Sequence, residues 1–434
     1  MPITTAANYQ SLAKEVWDGD TMVKQFYDEN PFLDMIEKKQ RVVIGKRAQV
    51  PLHTGRAGGT TVLDAAGGFI NPADSEDVNR AEYTLSYNYF PVSIEVGALN
   101  EITGGASSVG EALEHMMSSG LQNLRNQVTR QMLTGHGRIA AVATDAGGDA
   151  VVPLATLAQI GSANLAGEVS GADALGVGWI VAGDYVEIGT TADYDTIVDR
   201  GVAQTPAAIS QVLSVDDNPS APTITLGANV GATTLGTHFV SLANARGASG
   251  TGSVVESAGL VTIAGTQNNV VGNVDASTNK FWNPAEVDTT TTVPDMELLL
   301  RLSRKVKRKG APGAFILTSL LQLDNVYQML QSQVRFNGDR EIGAGGSEQV
   351  KWRNNLLHAF PQVPESFMFF LDMDSLEIVT GRYSKPTWLS DIGGGGKAGH
   401  WTPGTTHFED TVMYALGLAA RRRNLMAAAT KLMA

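Results

Sequence analysis

The side chains best suited to chemistry are scattered along this 434-residue sequence rather than gathered. Gly396-Lys397 closes a glycine run that could suggest a phosphate loop. Asp391, however, stands where that loop needs its first Gly, and Ala398 where it needs Ser or Thr, so 393–396 reads as a flexible loop. Glu114-His115 lacks the second His of a zinc-protease helix. Asp372, Asp374 and Glu377 begin like a calcium loop without its central Gly or its terminal Glu spacing, and read as a turn between strands. Seven histidines, at 53, 115, 136, 238, 358, 400 and 407, form no i, i+4 pair. Gly247-Ala248-Ser249-Gly250 has the wrong register for a nucleophile elbow. With no cysteine, disulfides, thiolate catalysis and Cys-zinc sites are excluded. The expectation is a chain that is not an enzyme and holds no cofactor or metal. Two basic clusters remain, 305–309 and 421–423. They read most simply as a helix end and a strand end, and alternatively as groups that face nucleic acid or pair with acidic neighbours.

The elements that would position these groups follow from pattern. Residues 1–40 read as an arm of short helical pieces in which Trp17 and Phe26 want a docking surface elsewhere. A strand in 41–53 and a second in 81–99, with Tyr83, Leu85, Tyr87 and Tyr89 alternating against polar partners, bracket a long Gly- and Asp-rich tip. That is an extended hairpin, marginal alone in water. The strongest helix signal spans 108–133: Leu113, Met116, Met117, Leu121, Leu124, Val128 and Met132 make one apolar stripe, and Gly135 follows the end. Residues 175–250 read as short strands separated by turns, a small β-barrel or sandwich set into a larger domain. Helices resume after Pro294, and the chain ends β-rich.

The charge balance is 32 basic against 44 acidic residues, a net −12, which argues against coating nucleic acid indiscriminately. Charged residues are only 18% and Gly is 47 of 434, so much of the surface must leave water or bend sharply. The N-terminus carries acidic residues and no apolar core, unlike a signal peptide, and no apolar run has membrane-spanning length. A soluble protein made in a cytoplasm-like compartment is expected.

This order of arm, long hairpin, long spine helix, central α/β region and long terminal strands resembles the major capsid proteins of tailed bacteriophages, the Hong Kong 97-type fold. The likeness covers nearly the whole chain, and Phe315-Ile316-Leu317-Thr318-Ser319 leading into Leu323-Asp324 is similar to the family's strand-then-helix segment. It implies an α+β fold with an N-terminal arm (1–40), an E-loop with flanking strands (41–99) and a peripheral domain (100–135 and 366–425). It further implies an axial domain (136–174, 251–365 and 426–434) with an inserted β domain at 175–250. The implied function is a structural shell subunit assembling with itself as pentamers and hexamers around double-stranded DNA contacted without sequence specificity. The implied location is the virion capsid, assembled in the bacterial host cytoplasm with no membrane partner. A separate scaffolding protein, a portal and decoration proteins would be its partners. The resemblance suggests Trp17, Phe26, Lys46, Arg47, Arg56, Phe69 and Tyr83 as contacts between subunits. Lys46, the one lysine between 41 and 99, sits at the hairpin base rather than its tip, so noncovalent stabilisation is expected in place of a Lys–Asn crosslink. An encapsulin-type nanocompartment shell is the alternative within the same fold.

Overall fold

A computed structural model describes residues 31–40, 43–44, 47–53, 78–95, 106–135, 137–163, 168–190, 210–242, 257–290, 293–311, 315–331, 349–352, 355–380, 386–388, 400–401 and 407–432. The spine forms where its stripe predicts. Helix Ala106–Leu133 runs 28 residues, with Met117, Leu121, Leu124, Val128 and Met132 all buried. Gly135 stops it in the left-handed region at φ +63°, where a residue without Cβ escapes the steric penalty.

The spine packs on a six-stranded sheet built around the 14-residue strand His407–Ala420. One edge of that strand pairs antiparallel with Ser86–Glu95 over residues 407–416. Its other edge takes Leu376–Thr380 at residues 416–420, with Thr387–Trp388 and His400–Trp401 further along. Strand Glu37–Gln40 adds in parallel to Leu376–Thr380. The helix comes close because Gly120 offers no side chain: a Cβ there would lie 1.7 Å from the Phe90 ring. A mid-helix Gly costs about 1 kcal/mol against Ala, and here the ring contact offsets it. Gln131 Nε2 also donates to Asn88 Oδ1 at 2.7 Å, giving each buried amide one partner, while Asn88 Nδ2 and Gln131 Oε1 find none among the described residues.

A second six-stranded sheet has the order Glu286–Asp288, Ala427–Ala429, Met368–Leu371, Phe315–Thr318, Asn355–Ala359, Gln349–Trp352. Its three central strands bury both faces: Leu317, Phe369 and Ala428 join one core, while Ile316, Met368, Phe370 and Ala427 join another beneath helix Met296–Arg308. Unbroken apolar runs are what such two-sided burial requires. The segment from Phe367, expected in the peripheral domain, instead gives this sheet its strand Met368–Leu371; only from Leu376 does the chain enter the sheet under the spine. Alternation cannot assign a strand that is apolar on both faces. The end of the chain returns to the second sheet as Ala427–Ala429.

The β-rich insertion is larger than 175–250. Its strands run in the order Ala140–Ala141, His238–Leu242, Tyr185–Thr190, Ser210–Asp216, Thr223–Leu226, Val151–Pro153. The first and last join through the Val142–Leu154 bridge, the Ala143 N–H to the Pro153 carbonyl and the Ala155 N–H to the Ala141 carbonyl, both 2.9 Å. The sheet therefore closes into a barrel. Residues 136–174, expected in the axial domain, supply two of its strands. The chain enters this unit after Gly135 and leaves it before Gly259, and these two glycines touch: a Cβ on Gly135 would lie 1.7 Å from the Gly259 nitrogen. Within the unit, Ser170 caps helix Gly171–Gly176 through the Asp173 N–H at 3.1 Å. Burial, with the facing carboxylate of Glu365, pushes the Asp173 carboxyl up to about 7. Among the described residues no helix is long and apolar enough to cross a membrane.

Candidate functional site

The most heavily built polar junction lies where the hairpin meets the body of the chain. Arg47–His53 and Val78–Thr84 pair antiparallel over seven residues, and Val43–Ile44 adds a third, short strand. One hairpin face carries Ala48, Val50, Leu52, Ala81 and Tyr83, all at most 1% exposed. The other carries Arg47, which pairs with Glu82 at 3.0 Å, and Arg80, which donates to Gln49 at 3.4 Å. This is the alternation of a strand with one face in a core. Only Leu85 separates Val78–Thr84 from Ser86–Glu95, so the hairpin root continues directly into the sheet under the spine.

A second, tighter hairpin forms the seat. Val270–Val271 and Val274–Asp275 pair across a two-residue turn, with Gly272 at φ +61° and Asn273 at φ +63°. Positive φ at both positions is the condition of a type I′ turn. The Gly272 carbonyl accepts from the Glu82 N–H at 2.8 Å. A Cβ on Gly272 would lie 2.9 Å from Ala81 Cβ and 3.2 Å from the Tyr83 ring, so only glycine leaves room for the root.

Tyr83 completes the anchorage by donating its hydroxyl to the Ala420 carbonyl at 3.0 Å. Burial pushes its phenol above the ordinary range. Beside it Arg423, fully buried, donates Nε to the Ile263 carbonyl at 2.7 Å and Nη2 to the Thr266 carbonyl at 2.9 Å. It also stands 5.7 Å over the Trp282 ring. Its charge thus meets the carbonyls at the C-terminal end of helix Leu260–Ala264, where a cation is favoured. Burial pulls the guanidinium down to about 10. Two residues earlier, Arg421 places Nε at 2.9 Å and Nη2 at 2.7 Å from one oxygen of Glu377, whose side chain is 1% exposed. No cluster of three or more metal-ligating side chains occurs among the described residues. Chemically the junction is a network of hydrogen bonds and an ion pair in which Arg423 Nη1 alone of that guanidinium's nitrogens finds no acceptor, and it ties the hairpin to the sheet under the spine and to helix Leu260–Ala264.

Of the residues singled out by sequence, Trp17, Phe26, Lys46, Arg56 and Phe69 lie outside the described residues. Arg47 is exposed on the outer hairpin face. Tyr83 is corrected: its ring is 1% exposed and spent inside its own chain, leaving no surface for a neighbouring copy. The Arg421–Arg423 cluster takes the acidic-neighbour and buried roles for Arg421 and Arg423, while Arg422 is exposed. The calcium-like segment is a single 3-10 turn, Met373–Ser375, between two strands. Sequence reasoning passed over Gly272, and it took Glu377 only as part of a turn and Arg423 only as one of a basic cluster. The Gly-Asn pair between valines was a readable turn signal for the first; nothing local marks the buried roles of the other two.

No protein-family profile matches the chain, and no curated protein does. Among solved structures it is similar to a chain of the cyanophage A-1(L) capsid asymmetric unit, with TM-score 0.47 and 10% identity over 93% of each chain. A chain of the satellite phage P4 procapsid, a particle that includes a size determination protein, gives TM-score 0.43 and 9% identity over 100% of this chain and 98% of that one. A chain of Mycobacterium phage Patience gives TM-score 0.44 and 10% identity over 99% and 90%.

Proposed function

We propose that this chain is the major shell subunit of a tailed-phage-type capsid with the Hong Kong 97-type layout. In this reading it assembles with itself into pentamers and hexamers that close an icosahedral shell around double-stranded DNA. The observation that carries the reading is the rooted hairpin. Seven paired residues are locked to the body by Tyr83 and the Gly272 carbonyl, and they pass through Leu85 alone into the sheet under the spine. Rigid anchorage at one end of a hairpin is what a lever laid over a neighbouring subunit requires. Support also comes from the order of spine helix, two packed sheets and a chain end that returns to the second sheet.

The shell's stability would come from interface burial repeated over many copies, and its expansion from rigid-body movement of whole subunits. A separate scaffolding protein and a portal belong to the same proposal, as does location in the virion. Negative-stain electron microscopy with sedimentation of the purified protein tests it. Closed polyhedral particles, or rings of five or six, are expected. A uniform 45.9 kDa monomer, even with a scaffold supplied, would sink the reading.

A further inference from the structure

We infer that the C-terminal half of helix Met296–Arg308 is a contact surface for the phosphate backbone of double-stranded DNA. The stretch 301–309, RLSRKVKRK, holds six cations and no acid in a chain of net charge −12. Leu298, Leu299, Leu302 and Val306 anchor the helix in the second core. Arg301, Arg304, Lys305 and Arg308 recur at i, i+3, i+4 and i+7, which puts them on one helical face. The inner part of that stripe is engaged. Arg301 pairs with Glu286 at 3.1 Å and with Asp288, and Lys305 pairs with Glu286 at 3.3 Å. Beyond it Arg304, Lys307, Arg308 and Lys309 are exposed, and no carboxylate among the described residues pairs with them.

A helix end by itself does not explain this set. The favourable field of the carbonyl end falls off within the last turn, whereas Arg304 lies ahead of the last-turn cations Lys305, Lys307 and Arg308. The chemistry around the cations selects the partner. Every exposed position from 304 to 309 is basic, with no apolar side chain among them. A protein partner would need an apolar centre to dock on, and none is offered. A duplex presents a charge about every 1.7 Å along its axis, so cations spread over about 9 Å of helix find phosphates without a matched geometry. Such a surface binds without reading sequence.

The biological sense of this surface rests on the shell reading, but the binding itself is measured on the full-length protein whether or not it assembles. The probe is fluorescein-labelled duplex DNA of two unrelated sequences, titrated across a salt series. Equal affinity for both is expected, falling linearly on a log–log plot. Arg304→Ala/Arg308→Ala should make the slope shallower by about 2, and Arg304→Lys/Arg308→Lys should keep it. The control Lys280→Ala/Arg422→Ala removes two exposed charges elsewhere and should leave it unchanged. Absent or salt-independent binding would overturn the inference, as would an equal loss in the control pair, or an alanine pair that binds like the unaltered protein. Electron microscopy of the same samples separates the two claims. Particles with an unaltered slope sink the surface alone, whereas monomers with the expected slope sink the shell alone.

Discussion

Tyr83 donates its hydroxyl to the carbonyl of Ala420, 3.0 Å away and 337 positions later in the chain. That bond ties the hairpin to the last residue of the longest strand among the described residues. Tyr83→Phe keeps the ring and deletes the donor, leaving a buried carbonyl short of a partner. A loss of about 1–2 kcal/mol in denaturant unfolding is expected. Amide exchange at Glu82, whose N–H bonds to Gly272, should quicken in the same variant. Unchanged exchange would show that the root is held without Tyr83.

Gly135→Ala should be among the costliest small substitutions in the chain. It adds a Cβ at φ +63°, 1.7 Å from a backbone nitrogen that cannot rotate aside. About 2–4 kcal/mol is expected from strain and backbone displacement together. Gly176→Ala is the counterpart, because nothing lies within 4 Å of its added Cβ. It should stay within about 1 kcal/mol of the unaltered protein, on the side of greater stability. Thermal melts of the pair read the difference directly.

The neighbouring arginines Arg421 and Arg422 should respond unequally to alanine. Arg421→Ala takes the guanidinium away from the buried Glu377 carboxylate, and about 2–3 kcal/mol is expected. Arg422→Ala removes an exposed side chain and should fall within about 0.5 kcal/mol. Equal losses in a urea titration would mean that the Arg421–Glu377 pair adds nothing to stability.

Asp173 should make the seam between barrel and second sheet sensitive to pH. Its carboxyl, raised to about 7 by burial and by Glu365, stays protonated in the fold at pH values where the unfolded chain has released the proton. The stability it contributes is complete below the ordinary value of 3.8 and is lost as pH rises towards about 7. Asp173→Asn cannot titrate. Its stability relative to the unaltered protein should therefore climb by a few kcal/mol, roughly, between pH 4 and 7 and level off above. Buried His358, stacked 4.4 Å from Phe315 with its pKa lowered by burial, acts in the opposite direction below its ordinary 6.5. It is common to both proteins and cancels in the comparison. A flat difference would remove Asp173 from the seam's proton balance.

What the sequence discloses depends on how local the cause is. The spine is legible because five of its stripe positions, Met117 to Met132, answer to one buried face at helical spacing. The helix end is legible because Gly135 is a local signal. Tyr83 is misread because its burial comes from Gly272 and Ala420, remote positions that no pattern around it names. The barrel is undersized in the reading because Ala140–Ala141 and Val151–Pro153 are too short to show a period of two, and their partners lie far along the chain. Met368–Leu371 goes to the wrong sheet because a strand buried on both faces carries no mark of which core it serves. At the junction, Glu377 and Arg421 become a pair only once two strands align them.

The contact of Gly135 with Gly259 has a consequence for how this chain can vary. To the spine and the two sheets, the stretch between those glycines has almost no end-to-end span, however many residues it holds. Lengthening such an excursion costs only a slowly rising closure entropy, so barrel size and core geometry are decoupled. A variant carrying a different closed unit at the same doorway, or a short turn in its place, would leave the helix stop and the following helix start where they are. The doorway itself has no such latitude: both of its posts must remain glycine.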